Sequence, residues 1–255
     1  MYNRTTFYRP VVILGPMESE SALLISHLEN PRVTKIGAYT FNEGYLFGYP
    51  AVICRCYIGV VNSAAATALA VGRYSPLCVI IQGTSGAHDP ELHQGDIILG
   101  GRIVELGCYY TKHREPGEGS YYPDRIYPGA EILSGSETVR VNTLYSDSRI
   151  IKAASSVPYS FGRVINGTIG ASDIWNRELD MIAHLRSTLS TDCEEMEGFG
   201  VAQVCAQTGV PCADIRVISN SEWHANESFD QKYGEYCQMF VLDTVRALIA
   251  DNTLM

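Results

Sequence analysis

Four short apolar runs constrain this chain more than any other feature. Residues 10–15 (PVVILG), 77–86 (LCVIIQGTSG), 97–105 (IILGGRIVE) and 213–219 (ADIRVIS) are predominantly apolar and of strand length, and the first two end in glycine. Such runs read as strands buried on both faces, because a sheet with one wet face would alternate apolar and polar positions. Segments with helical spacing separate them, so the alternation predicts an α/β fold with a mixed, largely parallel twisted sheet flanked by helices. At 255 residues the chain has room for one large α/β domain or two small ones, and one domain over 1–255 is the expectation.

Between the runs the pattern is legible in order. Residues 21–29 (SALLISHLE) place Leu23, Leu24 and Leu28 at helical spacing, with Asn30-Pro31 as a stop. Residues 35–57 have the aromatic and β-branched content of two or three antiparallel strands, with turns at glycine and at Asn42-Glu43-Gly44. Gly59 opens a small-residue helix, and residues 84–85 sit in a glycine-flanked Thr-Ser turn. Residues 107–135, rich in Tyr, Gly and Pro, read as a long loop or insertion whose tyrosines suit a lid or an oligomer contact. His113 within it has no partner visible in the sequence. Residues 146–155 predict a helix, 162–170 a strand, and Asp173 or Asn176 the start of the next helix. Trp175 beside them is either core or a platform for a planar ligand. A terminal amphipathic helix spans 236–250.

Composition removes several classes of partner. The formal net charge of -9 offers nothing to a phosphate backbone or an anionic membrane, so nucleic acid and membrane partners are not expected. No apolar run approaches the roughly 18–20 residues of a membrane span, and residues 1–10 (MYNRTTFYRP) lack the apolar centre of a secretory signal, which places the protein in the cytoplasm. Eight cysteines, at 54, 56, 78, 108, 193, 205, 212 and 237, include no C-x-x-C pair and read as reduced core residues. Cys54 and Cys56 could share a strand face, but no histidine or second cysteine pair accompanies them, so no metal site is predicted.

Candidate chemistry gathers in residues 193–222 (CEEMEGFGVAQVCAQTGVPCADIRVISNSE), which read as acidic turn, helix, loop and buried strand. Glu197 falls beside a helix start, where the macrodipole stabilises a carboxylate. Arg216, Ser219 and Asn220 crowd the C-terminal end of the strand, the end at which open α/β sheets bind ligands. Glu20, after the first apolar run, either stabilises a helix start or looks back over that strand's end into a cleft.

Taken together, GPMESE, QGTSGA with HQGDIIL after it, GTIGASDIW, EEMEGFGVAQVC and IRVISNSE resemble the successive landmarks of the nucleoside phosphorylase and nucleosidase superfamily, over roughly residues 10–250. Within it the chain is most similar to the methylthioadenosine/S-adenosylhomocysteine nucleosidases. The resemblance implies a single three-layer α/β/α domain, a homodimer, and cleavage of a purine nucleoside's N-glycosidic bond without metal or organic cofactor. It also implies roles. Glu20 matches the carboxylate that activates the attacking water, Thr84 a serine near the ribose, and Trp175 an aromatic stacked on the purine. Met196 and Glu197 match the pair under the ribose, and Arg216 and Ser219 match residues that support the catalytic end. These roles suit an oxocarbenium-like transition state: one carboxylate stabilises developing positive charge while another takes a proton from water.

The chain departs from the family pattern at Asn220, where the nucleosidases carry an aspartate that gives a proton to N7 of adenine. An amide donates a hydrogen bond but delivers no proton. The departure points to a slower adenine enzyme, to another acid such as Asp173 or Glu222, or to a 6-oxopurine nucleoside of the inosine or futalosine kind. A non-catalytic nucleoside-binding or storage protein is the alternative outside enzymes. Phosphorolysis is disfavoured: Gly15-Pro16-Met17-Glu18 and Ile81 stand where phosphorylases of the superfamily have phosphate-binding features, and Glu18 and Glu20 would repel the anion.

Overall fold

The computed structural model describes residues 9–251, so the reading of residues 1–10 as no secretory signal lies outside the described residues but for Arg9 and Pro10. The elements follow the sequence pattern closely. They run β1 (Val11–Gly15), α1 (Ala22–Ser26), β2 (Glu29–Ile36), β3 (Tyr39–Leu46), β4 (Tyr49–Arg55), α2 (Val60–Tyr74), β5 (Cys78–Ala87) and β6 (Ile97–Glu105). Then come β7 (Ala130–Ser134), β8 (Glu137–Val141), β9 (Thr143–Tyr145), α3 (Ser148–Ser155), β10 (Val164–Ala171), α4 (Leu179–Leu189), β11 (Cys193–Glu195), α5 (Gly198–Thr208), β12 (Cys212–Ser221) and α6 (Tyr233–Ala250).

Ten strands form one sheet in the order β11-β10-β6-β12-β5-β1-β4-β3-β2, with β9 beside β6. The fold is α/β and the sheet is mixed. Parallel pairing joins β1 to β4 and β5, β10 to β6 and β11, and β12 to β5. Antiparallel pairing joins β2–β3, β3–β4, β6–β9, β6–β12 and β5–β11. The sheet is therefore mixed, with five parallel and five antiparallel strand pairs, and continuous apolar runs, which report burial on both faces, carry no information on direction. β11 bonds to both β10 and β5, so β5, β12, β6, β10 and β11 close on themselves as a small barrel. Its interior is filled by Ala87, Ile98, Ile169, Cys193 and Ile218 with Leu92.

The apolar runs are buried on both sides as expected. In β1, Val11 and Ile13 pack with Ile150, Phe240 and Val241 of α3 and α6, while Val12 and Leu14 pack with Ala66, Phe199 and Val201 of α2 and α5. Each fully buried Val, Leu or Ile contributes about 1.5–3 kcal/mol, which is why a two-faced strand needs no polar residue.

Local expectations fail where tertiary pairing overrides a turn signal. α1 stops at Ser26, and Asn30-Pro31 lies inside β2, where Asn30 adopts φ 52 and the register with β3 slips between Glu29 and Arg32. Asn42-Glu43-Gly44 is interior to β3; the turn that follows β3 is at Phe47-Gly48. Thr84 and Ser85 are not a turn but part of β5, held by pairing to β12. α4 begins at Leu179 behind Glu178, not at Asp173 or Asn176, whose side chains bond elsewhere. Residues 107–135 are only partly loop: Tyr110 and Ile126 form a bridge, Tyr122–Asp124 a 3-10 turn, and β7 starts a hairpin with β8. Tyr122 and Tyr127 pack against Met181 and Leu185 of α4, and none of these residues lines the cleft described next.

Candidate active site

The C-terminal ends of β1, β5, β11 and β12 meet beside the N-terminus of α2 around a cleft of about 260 Å³. Every sequence-predicted site residue lines it: Glu20, Thr84, Trp175, Met196, Glu197, Arg216, Ser219 and Asn220. They converge because they lie within the C-terminal halves of β5 and β12 or just past β1, β10 and β11, with Arg216 near the middle of β12.

Glu20 is 1% exposed and fixed by its neighbours. Its Oε1 accepts from Thr84 N–H at 2.7 Å and from Thr84 Oγ1–H at 2.8 Å; its Oε2 accepts from Met17 N–H at 3.0 Å. Burial pushes its carboxyl above the ordinary 4.5, with the Thr84 bonds and Arg216 pulling against it. A carboxylate raised in this way holds a proton more readily, as a base working near neutral pH must.

Arg216 is the single cationic side chain lining the cleft among the described residues, and it is 0% exposed. Three carboxylates occupy its fork: Glu195 at 2.5 Å from Nη2, Glu197 at 3.1 Å from Nη1 and Asp214 at 2.6 Å from Nε. One guanidinium cannot neutralise three buried charges, and burial accordingly raises the carboxyl groups of Glu195 and Asp214. Breaking such a buried cluster by removing one partner costs about 3–5 kcal/mol. The packing leaves no slack: a Cβ at Gly198 would stand 1.9 Å from Asp214 Oδ2.

Glu197 is the N-cap residue of α5, but its carboxylate serves other groups. Glu197 Oε1 accepts from Gly59 N–H at 2.9 Å, just before α2, and Oε2 takes the Arg216 bond. Asp173 Oδ1 accepts from Val60 N–H at 2.8 Å, so two acidic side chains from distant parts of the chain gather the free amides at the start of α2. Trp175 is 52% exposed, which removes the core reading, and it meets Phe229 edge-on at 5.9 Å. Ser219 Oγ lies 2.9 Å from Asn220 Oδ1.

Neither carboxylate considered as a replacement acid lines the cleft: Asp173 caps α2 and Glu222 pairs with Arg177. Sequence reasoning passed over Glu194 and Glu195, which do line it, and also Asp214 and His88 behind them. Two signals were available. Glu194, Glu195 and Glu197 put three acids in four residues before an apolar helix, and Asp214 stands two residues from Arg216 in a strand, hence on the same face. Elsewhere, His93, His224 and Glu227 bring ligand atoms within 4.8 Å of one another, but the two rings stack, His93 Nδ1 bonds Glu227, and His224 Nε2 faces the Pro90 carbonyl.

Comparison with known proteins agrees with this geometry. The family model of the phosphorylase superfamily matches residues 10–246. A 5'-methylthioadenosine/S-adenosylhomocysteine nucleosidase of Tolumonas auensis is 31% identical over 227 residues, 88% of this chain and 91% of the relative. The enzyme of the same name from Shewanella sediminis is 30% identical, over 88% and 90%. Among solved structures, the Neisseria meningitidis nucleosidase in complex with methylthio-immucillin-A superposes with a TM-score of 0.77 at 24% identity, over 94% of this chain and all of that one. The futalosine hydrolase of Helicobacter pylori gives 0.76 at 19% identity, over 94% and 98%, a likeness of fold. The chain therefore belongs to the phosphorylase superfamily, and within it to the family of the methylthioadenosine/S-adenosylhomocysteine nucleosidases.

Proposed function

We propose that the protein is an N-glycosyl hydrolase that cleaves a purine nucleoside of the methylthioadenosine or S-adenosylhomocysteine kind and releases the free base. The observation that carries this reading is that, of four buried carboxylates lining one cleft, two stand in different environments on its catalytic side, Glu20 on Thr84 and Glu197 on Arg216. Glu20 takes the proton of the attacking water. Glu197 accepts from the ribose hydroxyls and stabilises the positive charge that develops on the sugar, over Met196. Thr84 holds Glu20 near the ribose, Ser219 orients Asn220, and Trp175 stacks on the base. Asn220 contacts the purine.

Water rather than phosphate is the nucleophile, because the cleft's one cation is already committed to three carboxylates. Ile58, Ile174, Trp175 and Phe229 line the cleft and are exposed at its mouth. That apolar rim supports a homodimer. Packing of α1, α3 and α6 with one face of the sheet and of α2 and α5 with the other supports a three-layer arrangement. Eight unpaired cysteines support a cytoplasmic location, and among the described residues no helix is long and apolar enough to cross a membrane.

Incubation with methylthioadenosine, S-adenosylhomocysteine, inosine and futalosine, with and without phosphate, tests the reading. Free base is the expected product whether or not phosphate is present. Ribose-1-phosphate would mark a phosphorylase, and no base from any substrate would leave a binding or storage protein. Asn220 favours a second substrate class, the 6-oxopurine nucleosides.

A further inference from the structure

We infer that Glu194 reads the base, and that Glu194 and Asn220 together make the cleft selective for a 6-oxopurine, whose ring nitrogen N1 carries a hydrogen. The inference rests on the N-glycosyl hydrolase reading above and on its second substrate class, placing a 6-oxopurine rather than the adenine of methylthioadenosine as the preferred base. Glu194 and Asn220 stand at one level on the two strands that flank β5: Glu194 pairs with Gly86 from β11, and Asn220 pairs with Gly86 from β12. Neighbouring strands lie about 4.8 Å apart, so the two residues bracket a gap of about 10 Å. The residue between them has no side chain, and a Cβ there would stand 3.1 Å from Asn220 Nδ2. The gap is thus floored by glycine, with a carboxylate on one side and an amide on the other.

Both walls are held in place. Glu194 is 5% exposed. Its Oε1 accepts from Asn176 N–H at 2.6 Å, its Oε2 from Asn176 Nδ2 at 2.5 Å, and His88 Nε2 lies 3.1 Å from Oε2. His88, 1% exposed, is itself anchored, with Nδ1 2.7 Å from Thr191 Oγ1. A carboxylate has about four lone-pair sites; the Asn176 bonds use two and His88 stands against a third. The fourth serves the cleft that Glu194 lines. Opposite, the contact of Ser219 Oγ with Asn220 Oδ1 leaves the Nδ2 donor on the Gly86 side.

Adenine offers an acceptor at N1 and a donor at N6; a 6-oxopurine offers a donor at N1 and acceptors at O6 and N7. A carboxylate facing N1 bonds the 6-oxopurine and repels the adenine lone pair, while the amide serves O6 or N7. The same pair suits the departure step. As water adds to C1′, the C1′–N9 bond breaks and its electrons pass to the base; the water proton goes to Glu20. A 6-oxopurine spreads that charge onto O6 and N7, where the Asn220 amide stabilises it without giving up a proton, and the base takes its proton afterwards from solvent.

The test uses two nucleosides alike except for the base, 5′-methylthioinosine and 5′-methylthioadenosine, with the full chain. The wild type is expected to favour the inosine analogue in kcat/KM by about 100-fold or more. Glu194→Gln, which turns an acceptor edge partly into a donor, should cut that preference at least tenfold by slowing the inosine analogue alone. Equal rates, a preference for the adenosine analogue, or a Glu194→Gln enzyme slowed equally on both would overturn the inference. Release of base from neither nucleoside would instead overturn the nucleosidase reading. If Glu194→Gln does not fold, calorimetry of hypoxanthine and adenine binding to the wild type decides: tighter adenine binding refutes the role of Glu194.

Discussion

Glu20 is the residue whose environment most directly sets a measurable property. Its carboxyl is raised above 4.5 by burial, and the base must be ionised to accept a proton from water. Activity should therefore fall as pH is lowered, along a limb of kcat/KM centred above 4.5 rather than at the ordinary carboxylate value. Glu20→Gln should lower kcat by about 10²–10⁴-fold and remove the limb. A limb that persists unchanged in the variant would assign the titration to another group. The positions of these residues were legible in the sequence, because Glu20 follows the first apolar run, Glu197 opens an apolar helix and Arg216 lies within a recognisable buried strand. Glu194 was not legible: beside Glu195 it looks like a second acid in an acidic turn, and only pairing to Gly86 distinguishes the two. Both line the cleft, but Glu195 is bound to Arg216 whereas Glu194 is held by Asn176 and His88, as alternation along a strand requires.

Among the elements, α2 shows how closely local structure and site are tied. Its small residues allow it to pack closely on α5, where a Cβ at Gly200 would stand 2.6 Å from the Val60 carbonyl. Its N-terminus has no side-chain cap of its own, and Glu197 and Asp173 take that part from afar. Asp173→Ala should cost about 1 kcal/mol, a fall of about 2–4 °C in Tm for a chain of this size, and differential scanning calorimetry would register it. An unchanged Tm would mean that water replaces the carboxylate. The helix itself was predictable from residues 60–74, whereas its cap was not, since Asp173 lies more than a hundred residues away and reads locally as the start of another helix.

For the whole molecule, Ile58, Ile174 and Phe229 leave an apolar rim exposed around the cleft beyond the Trp175 proposed to stack on the base. If two copies cover it, multi-angle light scattering on the purified protein should give twice the 28.0 kDa chain mass, and Trp175→Arg should shift the population toward monomer. A wild type that elutes at chain mass would refute the dimer. The sequence alone determined the order and identity of most strands and helices, and with them the α/β class, because burial on two faces and helical spacing are written in neighbouring residues. It also placed Glu197 at a helix start, Asn220 at a strand end and Glu20 just after the first strand. Only the tertiary structure decided strand direction, the closure of β11 onto β5, and the meeting of Glu194 with Asn220 across Gly86. Those depend on which strand lies beside which, a choice made by packing and hydrogen bonding between segments distant in the chain, and no local pattern encodes it.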